Sequence, residues 1–181
     1  MSGEQIAALL AAAVGVFWVL GAYNRLVALR NELGQAWAKV EEAQRQRSAS
    51  IAPLVVALRE PLAAEHGALD ALLSASGAST QATSAMASRV AAAGAAASWV
   101  AAEGALTAAA SRIFALLEQH AELRTQEPVA GIVRAWHERE PRLAFARQLF
   151  NDAAQTYDAA LVQFPTRLLV RLFGFGPAGR L

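Results

Sequence analysis

The hydrophobic pattern of this chain changes character once, close to its N-terminus. Residues 6–22 carry no charged or strongly polar side chain, whereas beyond them apolar residues recur at three- and four-residue spacing between charged ones. As an α-helix the uniform run is about 25 Å long, a little short of a ~30 Å hydrocarbon core. The spaced pattern is typical of helices that bury one face. The two patterns together predict a membrane-spanning helix followed by a helical domain.

Several residues of the run are candidates for the membrane anchor and its interface. Trp18 and Tyr23 lie near its C-terminal end, where aromatic side chains favour the boundary between lipid and water. Small residues recur every four positions on one face, which lets helices approach closely in lipid and predicts self-association, although abundant Ala alone would give the same spacing. The predicted anchor and interface residues are Ile6, Ala7, Ala11, Gly15, Trp18 and Tyr23.

Two other interpretations of the run fit less well. A cleaved signal peptide requires a positively charged start and small residues before the cleavage site. Residues 1–5 have only an acidic side chain, Glu4, and residues 20–22 (LGA) fit the cleavage pattern poorly. A buried core helix would need burial on every side, which is hard in so small a domain. We therefore predict a retained anchor.

The distribution of Lys and Arg predicts the orientation of the anchor. None precedes the run, whereas Arg25, Arg30 and Lys39 follow it closely. Because cytoplasmic flanks carry the excess of Lys and Arg, we expect the N-terminus outside and the main domain in the cytoplasm.

The helical periodicity continues beyond the run without a break, so we expect the first helix to pass from the membrane directly into the domain and end near Arg47. A second helix is predicted to begin at Ser48 or Ser50, with a kink at Pro61. Residues 74–84 are small and polar and predict a loop.

Two further segments complete the domain. A long Ala-rich helix is predicted over residues 81–123, followed by a break at residues 127–128. The last main helix is expected to be bent or interrupted at Pro141 and to end at Pro165. The predicted fold is all-α: a single transmembrane helix that continues into an antiparallel bundle of three to four helices. The predicted division is residues 1–22 for the N-terminal tail and anchor, 23–165 for the bundle and 166–181 for a short amphipathic tail.

The C-terminal tail has an apolar face opposite two basic residues, Arg167 and Arg171. A short basic amphipathic helix can lie in a membrane interface, and it can equally pack on the bundle or on a neighbouring subunit. The sequence leaves these alternatives open. The residues of the apolar face are Leu168, Leu169, Leu172 and Phe173.

Composition excludes several classes of chemistry. The chain has no Cys, which excludes disulfides, thiolate zinc sites, iron–sulfur clusters and Cys nucleophiles. A net charge of +1 argues against a nucleic-acid partner. His137 and Glu138 begin a zinc-protease pattern, but Pro141 takes the place of its second His. We predict no catalytic residue, no cofactor and no metal.

Glu103 lies in an Ala-rich stretch without an adjacent charge. A lone carboxylate of this kind can be a functional group with a perturbed pKa, but a structural partner from another helix is the favoured interpretation. The candidate partners are Arg112 and Arg147.

Several short motifs are spread along the chain, at residues 23–31 (YNRLVALRN), 36–37 (AW), 102–115 (AEGALTAAASRIFA), 146–151 (ARQLFN) with Tyr157, 164–165 (FP) and 173–175 (FGF). In sequence and in order these motifs resemble the LemA family of bacterial membrane proteins. Phe150 departs from a usual Tyr of the family pattern and Asp158 from a usual Asn.

The resemblance implies an anchored helical bundle of the bacterial inner membrane, without established enzymatic activity. Relatives are associated with envelope stress and a membrane zinc protease in some bacteria, and with magnetosome membranes in others. We expect a non-enzymatic scaffold that acts through self-assembly and partner binding. The alternative is an adaptor or regulator of a membrane protease or of envelope stress machinery. The expected partners are the lipid bilayer, further copies of the chain and a membrane protein such as a protease.

Overall fold

The computed structural model describes residues 2–181, apart from the side chain of Arg171, so Met1 of the predicted anchor segment lies outside the described residues. Residues 2–181 contain no β-strand, which confirms the predicted all-α class. The helices are α1 (Gly3–Ser48), α2 (Ile51–Leu58), α3 (His66–Ala87), α4 (Ala93–Gln119), α5 (Ala121–Thr125), α6 (Val129–Val162) and α7 (Thr166–Phe173), with a 3₁₀ turn (Ala63–Glu65) before α3.

Helix α1 runs unbroken from the apolar run into the domain, as the periodicity predicts. Its first turn is capped by Gln5, whose Oε1 accepts a 3.0 Å hydrogen bond from the backbone N–H of Ser2. Residues 3–21 are exposed on every side, whereas from Ala22 onward one face is buried. The N-terminal helix is long and apolar enough to cross a membrane. Helix α4 passes the same test of length and composition, but it packs on α3 as a core helix.

The predicted loop at residues 74–84 is wrong, because α3 covers the whole segment. Its hydroxyl groups bond back to carbonyl groups four residues earlier, as in the 2.8 Å bond that Thr83 donates to the oxygen of Ser79. The break lies instead at residues 88–92, inside the helix predicted for residues 81–123. In this turn Val90 and Ala91 pack against the core.

The four prolines at which the sequence predicts a kink, a break or a helix end have different outcomes. Helix α6 ends at Val162, shortly before Pro165. Pro61 does not kink a helix, because α2 ends at Leu58 before it. The break near Pro128 is confirmed, since it separates α5 from α6. Pro141 lies inside α6 on an exposed face, and the helix is not interrupted there. Proline has no backbone N–H, so α6 lacks one backbone hydrogen bond at this position and still continues.

Helices α1 and α6 lie side by side and antiparallel. Arg25 Nη2 donates a 3.2 Å hydrogen bond to Gln163 Oε1 next to the apolar run, and Arg47 binds Glu140 at the other end of α1. Helices α3 and α4 form a second antiparallel pair that packs against α1.

The apolar interior is divided into two clusters along the length of these helices. The cluster beside the apolar run, here the near core, contains Leu26, Trp37 and Phe150. The cluster at the opposite end, here the far core, contains Leu69 and Ile113. A layer of buried polar side chains lies between them.

Candidate functional site

The apolar run places four of the predicted anchor residues on a fully exposed helix. Ile6 is 47% exposed, and Ala7, Ala11 and Gly15 are exposed as well. Nothing in residues 2–181 covers the small-residue face. Soluble proteins rarely expose a contiguous apolar surface of this extent, and such surfaces mark contact with a membrane or another protein.

The base of the run brings the two predicted aromatic residues against the C-terminal tail. The Trp18 ring lies 4.8 Å from the ring of Phe164, measured between centroids. The Tyr23 ring lies 5.0 Å from Phe173 and 6.1 Å from Phe175. The tail therefore returns to the point where α1 leaves the apolar run.

Helix α7 divides the four predicted tail residues between two environments. Leu169 is buried at 5% exposure against the near core. Leu168, Leu172 and Phe173 are 58%, 75% and 50% exposed. The helix ends at Gly174, which adopts the left-handed conformation (φ 67°) that favours glycine. Of the two basic residues predicted opposite the apolar face, Arg167 lies over the Phe164 ring and Arg171 falls outside the described side chains.

The last residues of the tail are held on α6. The backbone N–H of Ala178 donates a 2.8 Å bond to Asp158 Oδ1, and Asn151 exchanges two hydrogen bonds with the backbone of Leu181. Gly179 approaches α4 so closely that a Cβ atom added to it would overlap the Cβ of Ala96. These contacts fix the position of α7 at the base of the run.

The polar layer is centred on a buried ion pair between α1 and α4. Arg47 is 1% exposed and Glu103 is 4% exposed, and Arg47 Nη2 donates to Glu103 Oε2. Arg47 Nη1 donates to both carboxylate oxygens of Glu140 on α6, at 3.1 and 3.2 Å. The guanidinium carbon also lies 4.9 Å from the ring centroid of Trp136. A single arginine thus ties three helices together.

Helix α3 joins the same layer through its hydroxyl groups. Ser79 Oγ and Gln44 Nε2 both donate to Glu103 Oε1, so the carboxylate accepts hydrogen bonds on both oxygens. Thr83 accepts a 3.0 Å hydrogen bond from Trp99 Nε1. Buried networks of this kind stabilise one particular arrangement of helices, because a shift leaves further buried polar groups unpaired.

The predicted partner of Glu103 is wrong. Arg112 approaches Glu65 at 3.8 Å, and Arg147 lies with its guanidinium carbon 5.5 Å from the ring centroid of Trp99. The true partner, Arg47, continues the three- and four-residue spacing of the buried residues of α1. The buried residues at that spacing are Leu33, Trp37, Val40, Gln44 and Arg47. This spacing indicates that Arg47 lies on the buried face of α1, but a charged side chain is usually expected on the exposed face.

A cleft of about 410 Å³ opens onto the layer between α4 and α6, lined by Arg47, Glu103, Glu140 and Gly104 among others. In the part of the chain that the structure describes, two buried side-chain nitrogen atoms lack a hydrogen-bond partner, Nε of Arg47 and Nε1 of Trp37. Among residues 2–181, no group of three or more His, Asp or Glu side chains could share a metal ion. Arg47, Glu103 and Glu140 are paired with one another at the cleft, which suits them to fixing helix register.

Comparison with known proteins identifies the family of the folded part of the chain. A search of curated proteins finds no match. The sequence model of the LemA family matches residues 36–180, which include the polar layer, the far core and most of the near core and of the tail. The match begins within α1, so the apolar run and the similar stretch at residues 23–31 precede it. Because the match covers most of the sequence, the chain belongs to the LemA family.

Proposed function

We propose that this protein is a membrane-anchored helical scaffold, without enzymatic activity, that acts through self-assembly and partner binding at the bacterial inner membrane. Residues 6–22 would span the bilayer, and α1, α3, α4 and α6 would form an antiparallel four-helix bundle on its cytoplasmic side. The observation that carries the proposal is the continuity of α1, which joins an exposed apolar run to a buried amphipathic half without a hinge. A rigid connection of this kind would pass the tilt of the anchor to the bundle.

Self-assembly is supported by the small-residue face of the run. Ala7, Ala11 and Gly15 are exposed and lie on one side of α1. In lipid, helices associate through close backbone approach at such residues, because the bilayer removes the hydrophobic driving force between them.

Partner binding is supported by an exposed apolar groove between α1 and α6. The groove has a volume of about 560 Å³ and includes Phe145, which is 62% exposed, and Leu149. The groove is also lined by the charged residues Lys39, Glu42 and Arg142. An apolar centre with a charged rim is the composition of a protein-binding surface.

The mass of the full chain in lipid nanodiscs tests self-assembly. We expect oligomers that Ala11→Ile dissociates, because the larger side chain separates the helices. Ala13→Ile is the matched control, since residue 13 lies on the opposite face of the same exposed run. A particle of one chain per nanodisc at all protein concentrations would contradict self-assembly.

Crosslinking in native membranes separates the scaffold from the alternative role. Contacts between copies of the chain and with several membrane proteins would support the scaffold. Consistent recovery of a single membrane protease, with no contact between copies, would favour an adaptor or regulator of that protease.

A further inference from the structure

The base of the apolar run is surrounded by exposed apolar side chains from two distant parts of the chain. We call this group the basal ring. Its members are 42–75% exposed, although they belong to the most apolar residue types: Trp18, Phe164, Leu168, Leu172 and Phe173. The ring contacts between Trp18 and Phe164 and between Tyr23 and Phe173 hold the group at the level of residues 18–23. This is the end of the run, where a spanning helix meets the headgroups.

A notch of about 310 Å³ opens in the basal ring between α1 and the start of α7. Trp18, Gly21, Arg25 and Thr166 are among the residues that line it. Arg25 is exposed, and its bond to Gln163 holds the guanidinium at the rim. The notch is therefore apolar on the side of the run and positively charged on the other side.

Charge is distributed unevenly around this end of the molecule. Every acidic residue except Glu4 lies within residues 32–158. The segments that build the basal ring, 5–31 and 159–181, contain no Asp or Glu but carry several arginines. Arg180 is paired with Asp158 at 3.4 Å, whereas Arg25 and Arg167 are exposed beside the ring. The net charge of +1 thus conceals a positive end at the base of the run.

We infer that the basal ring docks into the headgroup layer of an anionic bilayer, where Arg25 and Arg167 bind the phosphates of anionic phospholipids. The inference rests on the proposed anchor and adds a second membrane contact to it. Apolar side chains of a short basic helix lie at the boundary between headgroups and acyl chains, while arginine stems extend to the phosphates. Each arginine near an anionic surface strengthens such binding about fivefold.

A second copy of the chain fits this surface less well. A two-fold contact through the basal ring would bring the same patch of each copy together. Arg25 and Arg167 of one copy would then face those of the other, and juxtaposed like charges oppose association. An anionic bilayer offers the complementary charge at the same depth as the apolar contact.

Spin labels on single cysteines test the inference, because the chain has no Cys of its own. Leu10→Cys reports on the anchor, Leu172→Cys on the basal ring and Val56→Cys on the far end. Val56, at 76% exposure, is the matched control for Leu172, at 75%. Each labelled full-length variant is reconstituted in bilayers of phosphatidylcholine alone or mixed with phosphatidylglycerol. Accessibility to oxygen and to a water-soluble nickel chelate is then compared.

We expect the labels at residues 10 and 172 to be accessible to oxygen, which concentrates in lipid. The label at residue 56 should be accessible to the nickel chelate, which stays in water. Lipid contact at 172 should be stronger in the mixed bilayer. The combined change Arg25→Gln and Arg167→Gln should reduce that preference by about fivefold per arginine. The corresponding Lys variants should retain it, and Arg112→Gln, on the exposed face of α4, should leave it unchanged.

The outcomes separate failure of the inference from failure of the proposed function. A label at 172 in water, with the label at 10 in lipid, would overturn the inference and leave the anchor in place. Protection of 172 from both reagents would overturn it in favour of a protein contact. Equal lipid contact at 172 in both bilayers would overturn the role of the arginines. A label at 10 in water would overturn the anchor and the inference together.

Discussion

Trp18 and Trp37 lie on the same helix, about five turns apart, in opposite surroundings. Trp18 is 42% exposed at the base of the apolar run and contacts Phe164, whereas Trp37 is 2% exposed and packs edge-on against Trp99 and Phe150. The comparison extends to the two halves of α1. One half is apolar all round and has no protein neighbour over most of its length, while the other has a narrow apolar stripe that α3 and α6 cover.

The difference shows how one helix can be matched to two solvents. A helix with apolar residues on every side gains by burial in lipid, whereas an amphipathic helix gains only on the face that its neighbours cover. The two halves should therefore respond to different changes. Substitutions in residues 3–21 should affect membrane retention, and substitutions in the buried stripe should affect the free energy of unfolding.

The largest expected effect comes from placing charge in the apolar run. The combined change Leu10→Arg and Val14→Arg should weaken insertion by about 5–7 kcal/mol, because each arginine at the centre of a spanning helix costs about 2.5–3.5 kcal/mol. We expect the chain to leave the membrane fraction in a flotation assay with liposomes of phosphatidylcholine alone, which lack the anionic lipids that the basal ring binds, while its domain stays folded. Val56→Arg, at a site that is equally exposed but far from the run, should leave both properties unchanged. Retention of the double variant in the floating fraction would contradict the distinction between the two halves of α1.

The buried polar layer should respond in the opposite way. Glu103→Ala should lower the free energy of unfolding by about 3–5 kcal/mol, because it leaves the Arg47 guanidinium buried beside one partially exposed carboxylate. Denaturant titration followed by Trp fluorescence measures the change, and membrane retention should not alter. Adding Arg47→Met should restore much of the loss, since the double variant no longer buries an unpaired guanidinium. Additive losses in the double variant would indicate that the two residues do not interact.

A smaller effect is expected where the tail docks onto α4. Gly179→Ala should destabilise the docked tail by about 1–3 kcal/mol, because the added Cβ atom meets Ala96 and the backbone of Ala93. Hydrogen exchange at residues 176–181 should increase. Gly176→Ala is the matched control, since nothing lies within 4 Å of its added Cβ atom. Equal exchange in the two variants would show that the close contact does not hold the tail.

The smallest effect is expected at Tyr157. Tyr157 is fully buried in the near core, and this burial raises the pKa of its hydroxyl, an effect that the positive charge of Arg30 partly opposes. A raised pKa means that the folded state holds the proton more tightly than the unfolded state. The resulting stability is complete below the unfolded pKa of about 10 and is lost as pH rises through the folded value.

An absorbance titration at the tyrosinate band should therefore place the ionisation of Tyr157 above that of a free tyrosine. Tyr157→Phe removes this component and should make stability less sensitive to alkaline pH. An unchanged alkaline titration in the variant would mean that Tyr157 does not contribute to it.

The parts of the fold that the sequence predicts correctly are those in which local pattern alone decides the structure. The continuity of α1 followed from spacing that persists from Leu26 to Val40, because a helix needs no distant partner to keep its phase. The all-α class followed in the same way from Ala-rich, amphipathic segments. The break before Pro128 was readable because proline terminates a helix locally.

The remainder depended on contacts between distant segments. The small, polar composition of residues 74–84 predicted a loop, yet the segment is helical. Its hydroxyl groups find partners on α4, because Ser79 donates a hydrogen bond to Glu103 and Thr83 accepts one from Trp99. The partner of Glu103 was missed because Arg47 lies 56 positions away in the sequence. The basal ring likewise requires the chain to return from residue 164 to residue 18, which no local pattern specifies.

The central claim is that one unbroken helix passes from lipid into protein near Ala22. A cysteine scan along α1, with each spin label tested for contact with oxygen and with a water-soluble nickel chelate in bilayers, measures this directly. We expect lipid contact at residues 6–20, reduced only on the face of Ala7, Ala11 and Gly15 where copies of the chain would meet. From Ala22 to Ser48, protection should instead follow the 3.6-residue period of the buried stripe. Water contact along any face of residues 6–20, or a change of period before Ala22, would contradict the account.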